Sequence, residues 1–463
     1  MKASGILIKC KCDYLLIKLF DNLLKKKSLD IIKYNNNLKE RINININNYK
    51  EYSEIYSPIE IEIKLISNGN GNFINIDKNN EQYYHIYFDN NKKEIKRNYI
   101  NNNEQVKTIK IIIDYQVISF EKLFCDCVNI KYINFKKFYR KNIINMNDMF
   151  NECDSLKEIN LSNFNTNNVT DMGGMFACCP YLKEINLSNF DTKNVTNMEY
   201  MFFCCSSLKE LNLSNFNTKN VTNMRDMFYK CSSLKELNLS NFNTNNVTNM
   251  SALFGKCSSL KELNLSNFNT NNVIDMSEMF YKCSSLKEID LSNFNTNNVT
   301  NMSALFGKCS SLKELNLSNF NTKNVNNMNK MFYKCSSLKE IDLSNFNTNN
   351  VTDINGLFGK CSSLKEINLS NFNTNNVRNM SGMFYECALL KKLNLSNFNT
   401  NNVIDMSYMF AGCLSLKELN IYKFNTNYGT IMNGMFYNCS EELKMKIKAQ
   451  NKNIKKEAFE LFF

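Results

Sequence analysis

Cys231-Ser-Ser-Leu234-Lys-Glu-Leu237-Asn-Leu239-Ser-Asn-Phe242-Asn-Thr-Asn-Asn-Val247-Thr-Asn-Met250-Ser-Ala-Leu253-Phe254-Gly-Lys256 is followed at once by Cys257, where the same phrase begins again. Thirteen cysteines, from Cys127 to Cys439, fall on this one 26-residue interval. A period of that length is the mark of a repeat architecture, and it decides the fold before any local reading. The phrase is clear from Cys153 to Cys439 and worn between Cys127 and Glu152. Its second half is heard once more in Val117, Phe120, Leu123, Phe124 and Cys127, so the array begins near residue 106.

Periodicity changes within one copy. Leu237 and Leu239 alternate with Glu236, Asn238 and Ser240, the period of two of a strand with one buried face. Val247, Met250, Leu253, Phe254 and Cys257 recur at steps of three and four, which predicts a short helix or helical turn. Asn243 to Asn246 lies between them and supplies turn-forming amides. A single unit cannot bury these apolar residues, but stacked units can close them into ladders. The expected fold is an α/β solenoid, a leucine-rich-repeat-like array of strand-turn-helix units over residues 106–443. About twelve copies at ~4.8 Å would make a rod or shallow arc on the order of 60 Å long.

A second period is superposed on the first. Met227-Phe-Tyr-Lys-Cys alternates with Leu253-Phe-Gly-Lys-Cys through to Leu357-Phe-Gly-Lys-Cys, and residues 247–270 are identical to residues 299–322. Such identity is what duplication of paired copies leaves behind. Most of the surface is therefore one chemical pattern reiterated. The strand positions that such an array would present to a partner are Glu210, Asn212, Ser214, Glu236, Asn238, Ser240, Glu262, Asn264, Ser266, Glu288, Asp290, Ser292, Glu314, Asn316 and Ser318. Each Glu follows a Lys able to neutralise it, so the column reads as a solvated ladder rather than a polyvalent cation site.

The motif Leu234-Lys-Glu-Leu237-Asn-Leu239-Ser-Asn-Phe242-Asn-Thr, with Asn246-Val247-Thr-Asn-Met250-Ser-Ala-Leu253-Phe254 and Cys257, resembles the leucine-rich repeats of the BspA-like surface protein family. That family includes the 26-residue repeat of bacterial surface lipoproteins and a related domain of Mycoplasma lipoproteins. The resemblance covers roughly residues 117–443. It implies a leucine-rich-repeat fold and roles in adhesion or protein binding at a cell surface.

The ends do not repeat. Residues 1–105 are expected to form a small α/β domain, with a helix between Asp13 and Tyr34 carrying Leu15, Leu16, Leu19, Leu23 and Ile32 on one side. Strands are expected at Ile59 to Leu65, Asn72 to Ile76, Tyr83 to Phe88 and Val106 to Ile113, the last of them capping the array's open edge. Residues 444–463 are expected to be a capping helix, with Leu443, Ile447, Ile454, Ala458 and Leu461 as its apolar residues.

Composition narrows the function. A hydrophobic fraction of 43% supports a folded core, and the net charge of +12 is spread along the chain rather than gathered into a tract. No helix-turn-helix, zinc-finger or ribonucleoprotein motif accompanies that charge, which argues against nucleic acid. No apolar run is long enough to span a membrane. Lys9, Lys11 and Asp13 interrupt the amino-terminal apolar residues, so that segment does not read as a signal peptide, and the expected location is cytoplasmic. The 18 cysteines fit free, buried thiols better than a disulfide framework, because equivalent side chains in stacked copies point in parallel.

No motif in the sequence carries recognisable catalytic chemistry. His85 is the only histidine, which rules out His-rich metal sites and leaves a triad no other base. The pairs Cys10 and Cys12, Cys125 and Cys127, Cys178 and Cys179, and Cys204 and Cys205 lack a second pair at zinc-site spacing. Asn68-Gly-Asn-Gly71 is a turn signal and not a phosphate loop. No catalytic, cofactor or metal residue is expected. The sequence points to a non-catalytic solenoid that binds a protein or repetitive polymer through many repeated contacts, self-association included. The alternative is a structural spacer or self-assembling scaffold with no ligand on its repeats.

Overall fold

A computed structural model of the protein describes residues 12–22, 36–42, 57–67, 69–425, 430–451 and 454–460. Its helices are α1 (Asp13–Asn22), α2 (Asn36–Arg41) and α3 (Glu441–Gln450). Its strands are β1 (Ile59–Leu65), β2 (Gly71–Asn72), β3 (Tyr84–Phe88), β4 (Tyr99–Ile100), β5 (Thr108–Ile113), β6 (Ile130–Lys137), β7 (Glu158–Asn160), β8 (Lys392–Asn394) and β9 (Glu418–Asn420). Between β7 and β8 the expected strand positions, such as 236–239, are extended backbone that forms no strand, and the rest of the array is mainly turn.

Five strands form one sheet in the order β3-β5-β1-β6-β7. The alternation Ile59, Ile61, Ile63 on β1 and Ile109, Ile111, Ile113 on β5 buries one row of side chains, with Ile61 opposite Ile111 and Ile63 opposite Ile109. On its other side β1 pairs antiparallel with β6, placing Ile63 opposite Ile133. The strand expected to cap the array was β5, but β1 holds that place and β5 lies one strand further out. Charge on the opposite face accounts for the order. Glu60 sits between Lys137 (2.6 Å) and Lys110 (3.7 Å), and Glu62 pairs with Lys136, so the acidic strand lies between two basic ones. From β6 onward the pairing is parallel, Ile133 to Ile159, one copy against the next.

The amino-terminal expectations hold only in part. The helix at Asp13 ends at Asn22, and residues 23–35, including Leu23 and Ile32, lie outside the described residues. Leu16 is buried, while Leu15 and Leu19 are exposed. The strand expected over Asn72 to Ile76 shortens to β2, with Phe73 and Ile74 buried in irregular backbone beyond it.

The second half of each copy is not a helix. In the copy quoted above, the N–H groups of Met250, Ala252 and Phe254 donate to the carbonyls of Asp275, Ser277 and Met279 in the next copy, at 2.7–3.0 Å. The N–H groups of Leu253, Gly255 and Cys257 between them donate three residues back, closing turns within the copy at 2.9–3.3 Å. Ala252 and Lys256 have φ of 51° and 59°, a left-handed residue every fourth position, which no α-helix contains. An α-helix would spend every N–H internally; here alternate N–H groups join neighbouring copies. The apolar residues keep the burial that the three- and four-residue spacing predicted, because a series of turns with this period also brings Met250, Leu253, Phe254 and Cys257 inward. Glycine fits the left-handed position without strain at Gly174, Gly356, Gly382 and Gly434.

Four side-chain ladders lock the register. Phe124 begins a stack of rings, one per copy, that runs to Phe436 with centroids 5.5–6.0 Å apart. Each buried cysteine from Cys153 to Cys439 donates its thiol to a carbonyl one copy back, as Cys257 does to Phe228 at 3.0 Å. Thr270, 1% exposed, donates its hydroxyl to the carbonyl of Asn295 and accepts the Asn295 N–H, both at 2.8 Å. Asn267 Nδ2 donates to the carbonyls of Leu239 and Phe242 in the preceding copy. The asparagine bias of the sequence is thus bonded backbone, satisfying carbonyls that the turns leave open.

At the far end the backbone of Glu457 and Ala458 accepts the N–H groups of Gly434 and Phe436, and Phe459 stacks on Phe436 at 5.4 Å. This segment stands where another copy would otherwise lie. The helix of the carboxyl-terminal segment, α3, spans Glu441–Gln450, shorter than the expected 444–463, and buries Leu443 and Ile447. Leu461 lies outside the described residues.

Candidate functional site

The strand half of each copy is exposed in the pattern that the sequence predicts. Glu236 and Asn238 are exposed, and Leu237 and Leu239 are buried beneath them. All fifteen positions named from the sequence, from Glu210 to Ser318, are exposed. They do not all share one surface. An open concavity of about 700 Å³ is lined by the triplets at 314–316, 340–342 and 366–368, which are Glu, Leu or Ile, and Asn or Asp. Glu314 and Asn316 belong to this lining and Ser318 does not. A second concavity, of about 390 Å³, is lined by Tyr132 and the triplets 158–160 and 184–186.

The separation of serine from the other two has a local cause. Ser318 N–H donates to Asn316 Oδ1 at 3.0 Å, and the same turn recurs as Ser214 to Asn212, Ser240 to Asn238, Ser266 to Asn264 and Ser292 to Asp290. An asparagine or aspartate side chain that accepts the N–H two residues on ends the strand there and turns the chain. The Asn-X-Ser triplets carry this signal in the sequence. Where the residue is Asp290 or Asp342, the accepted backbone hydrogen bond holds its carboxyl below the usual range.

Glutamates in successive copies stand about one strand spacing apart, ~4.8 Å. Among the described residues no glutamate of the column forms an ion pair with the lysine that precedes it; the one ion pair in the column is Glu418 with Lys392, which takes the glutamate position of the preceding copy, at 2.9 Å. The rest of the column is a row of exposed carboxylates flanked by exposed lysines. Such a row can meet a partner through many equivalent hydrogen bonds and charges, with small apolar contacts from Leu315, Ile341 and Ile367 between them.

The thiols lie apart from this face. The cysteines of the 26-residue series, Cys127 to Cys439, are buried and joined in no disulfide. Burial pushes the thiol of Cys257 up to about 12, so the ladder stays protonated and unreactive. Cys10 lies outside the described residues. His85 lies between two carboxylates. Its ring nitrogens lie 2.9 Å from Glu94 and 3.5 Å from Asp114, at the edge of the sheet. Among the described residues no group of three or more His, Cys, Asp or Glu side chains is placed to hold a metal ion, and no helix is long and apolar enough to cross a membrane.

One phrase copied and bonded copy to copy, with ladders inside and columns outside, defines a repeat protein whose surface is its own periodicity. The family described as Mycoplasma protein of unknown function, DUF285, matches residues 118–236, 203–313, 284–368 and 352–462, and the chain belongs to that family. No curated protein matches it.

Proposed function

We propose that the stacked copies form a solenoid of the leucine-rich-repeat kind, and that it acts as a non-catalytic scaffold binding a protein or repetitive polymer along the strand face. The observation that carries this reading is the open concavity over triplets 314–316, 340–342 and 366–368, where three equivalent sets of exposed carboxylate and amide groups face the same space. Equivalent weak contacts add through avidity, so a partner with a matching repeat gains affinity without one deep pocket. The resemblance to BspA-like repeats supports an adhesive or protein-binding role of this kind.

The test is charge reversal of Glu314, Glu340 and Glu366 together in the full chain, with partners captured by cross-linking in cells that make the protein. A binding face loses its cross-linked partners while the melting temperature holds. A spacer keeps whatever partners it has, since nothing then depends on the strand face.

A further inference from the structure

Lys230, Lys256, Lys282, Lys308, Lys334 and Lys360 are far apart in the chain but occupy one position in six successive copies. All six have φ between 59° and 62°. Each also donates its backbone N–H to the next copy, as Lys282 does to Gly307 at 2.7 Å. The column is therefore fixed at the rung spacing, ~4.8 Å. The first five form no ion pair among the described residues, whereas Lys360 meets Glu386 at 3.3 Å, and Glu386 takes the lysine position in the next copy and ends the run.

The 52-residue period divides these lysines into two kinds. Lys230, Lys282 and Lys334 are exposed. Lys256 and Lys308 are half-buried over the rings of Tyr229 and Tyr281, at 4.7 and 5.1 Å, and Lys360 lies over Tyr385 at 5.2 Å. Tyr229 and Tyr281 have room because the next copy carries glycine beside them: a Cβ on Gly255 would stand 2.7 Å from Tyr229 Cδ2, and one on Gly307 3.1 Å from Tyr281 Cδ2. Carboxylates flank the start of the column at Asp226 and Glu278. Beyond them the equivalent positions are Ala304, Lys330, Gly356 and Gly382, so the stretch from Lys308 to Lys360 has no acidic neighbour on that side.

At the end of this stretch the small residues Gly356 and Gly382 open a concavity of about 340 Å³ walled by Tyr333, Tyr385 and Tyr408, with Lys330 on its rim. Ser407 and Asn355 add neutral hydrogen-bonding groups. Aromatic walls with hydroxyl and amide groups suit the apolar face and hydroxyls of a sugar ring.

We propose that this surface binds a linear acidic polysaccharide, its carboxylates or sulfates along the lysine column and one sugar ring in the tyrosine-walled concavity. The exposed lysines recur every second rung, roughly 10 Å, a step close to the length of one disaccharide. Lysine suits such groups as a point charge and needs no bidentate geometry. A single-stranded nucleic acid fits less well, because the rings of Tyr229 and Tyr281 that would have to stack on bases are covered by lysines.

The experiment measures binding of the full chain to a fluorescent hyaluronan oligosaccharide long enough to span the six copies, over a range of salt, with oligo-thymidylate of equal charge as comparison. The triple variant Lys282→Gln, Lys308→Gln, Lys334→Gln is expected to weaken glycan binding by about tenfold or more and to reduce the logarithmic salt slope by roughly two to three. Tyr385→Leu is expected to weaken it with the slope unchanged. A control triple at Lys261, Lys287 and Lys313, on the strand face, should bind as the parent does, which separates this surface from the one proposed above. Equal glycan binding by the column variant and the parent overturns the proposal. So does oligo-thymidylate binding tighter than the glycan and lost with the same column variant. Matching circular dichroism melts show that the variants are folded.

Discussion

Thr270→Val distinguishes a hydrogen-bonded ladder from a merely apolar one. Valine has the shape of threonine and is at least as readily buried, so if the threonine column only fills space the variant is neutral or more stable. In the structure the Thr270 hydroxyl is both donor and acceptor to the backbone of Asn295, at 2.8 Å each way. Valine strands a backbone N–H and a carbonyl that are half-buried, at about 1 kcal/mol or a little more each, for a total of about 2–3 kcal/mol. Thr270→Ser keeps both hydrogen bonds and loses one methyl, about 1 kcal/mol. Urea unfolding of the three proteins should therefore rank threonine above serine above valine, with valine below serine by about 1–2 kcal/mol at unchanged slope. A valine variant as stable as the parent would refute the claim that this hydroxyl bonds copy to copy.

Four further outcomes follow from the same geometry. Native protein treated with a thiol reagent at pH 8 should be modified at the partly accessible Cys12, Cys125, Cys178 and Cys204, while the buried series from Cys127 to Cys439 reacts only after unfolding; mass spectrometry of the labelled peptides reads this directly. Arg140 is fully buried, with Nε and Nη2 unpartnered among the described residues, and burial lowers its pKa to about 10. Arg140→Met should consequently be neutral or stabilising, by about 1–4 kcal/mol in a thermal melt, rather than destabilising. Lys137, by its hydrogen bond, and then Lys110 hold the Glu60 carboxyl below its usual range; a depressed folded pKa stabilises above the unfolded value and is lost as pH falls through the folded one. The melting temperature of the parent should thus fall more steeply than that of Glu60→Gln as pH is lowered from about 5 to 3. Phe459→Ala removes the ring that ends the phenylalanine stack and should increase binding of a hydrophobic dye and concentration-dependent association, as measured by light scattering.

Much of this arrangement is legible in the sequence because the repeat does the aligning. The interval between cysteines gives the register, and the alternation around Leu237 and Leu239 gives the exposed face without any tertiary information. The turn half is misread for a physical reason. Steps of three and four residues are shared by an α-helix and by a run of turns with a left-handed residue at every fourth position. Only the five glycines at Gly174, Gly356, Gly382, Gly412 and Gly434 hint at the second. The place of Ser318 outside the concavity depends on an Asn-X-Ser turn, a signal present in the triplet but outweighed by the period of two. The order of β1 and β5 rests on long-range pairing of Glu60 and Glu62 with Lys110, Lys136 and Lys137, which no local pattern reveals. Linear charge counting misses the lysine column altogether, because residues 26 apart in sequence become neighbours only after stacking.

In-register stacking is the claim on which the columns, the ladders and both proposed surfaces depend, and a cysteine pair measures it directly. Glu262→Cys with Glu288→Cys places two parallel thiols on adjacent copies, roughly 5 Å apart, within reach of a bimane cross-linker that bridges only neighbouring thiols; Glu262→Cys with Glu314→Cys places them two copies apart, roughly 10 Å, beyond it. Treatment with that cross-linker followed by peptide mapping should find the first cross-link and not the second. Failure of the adjacent pair to join, or equal cross-linking of both pairs, would contradict the stacked arrangement.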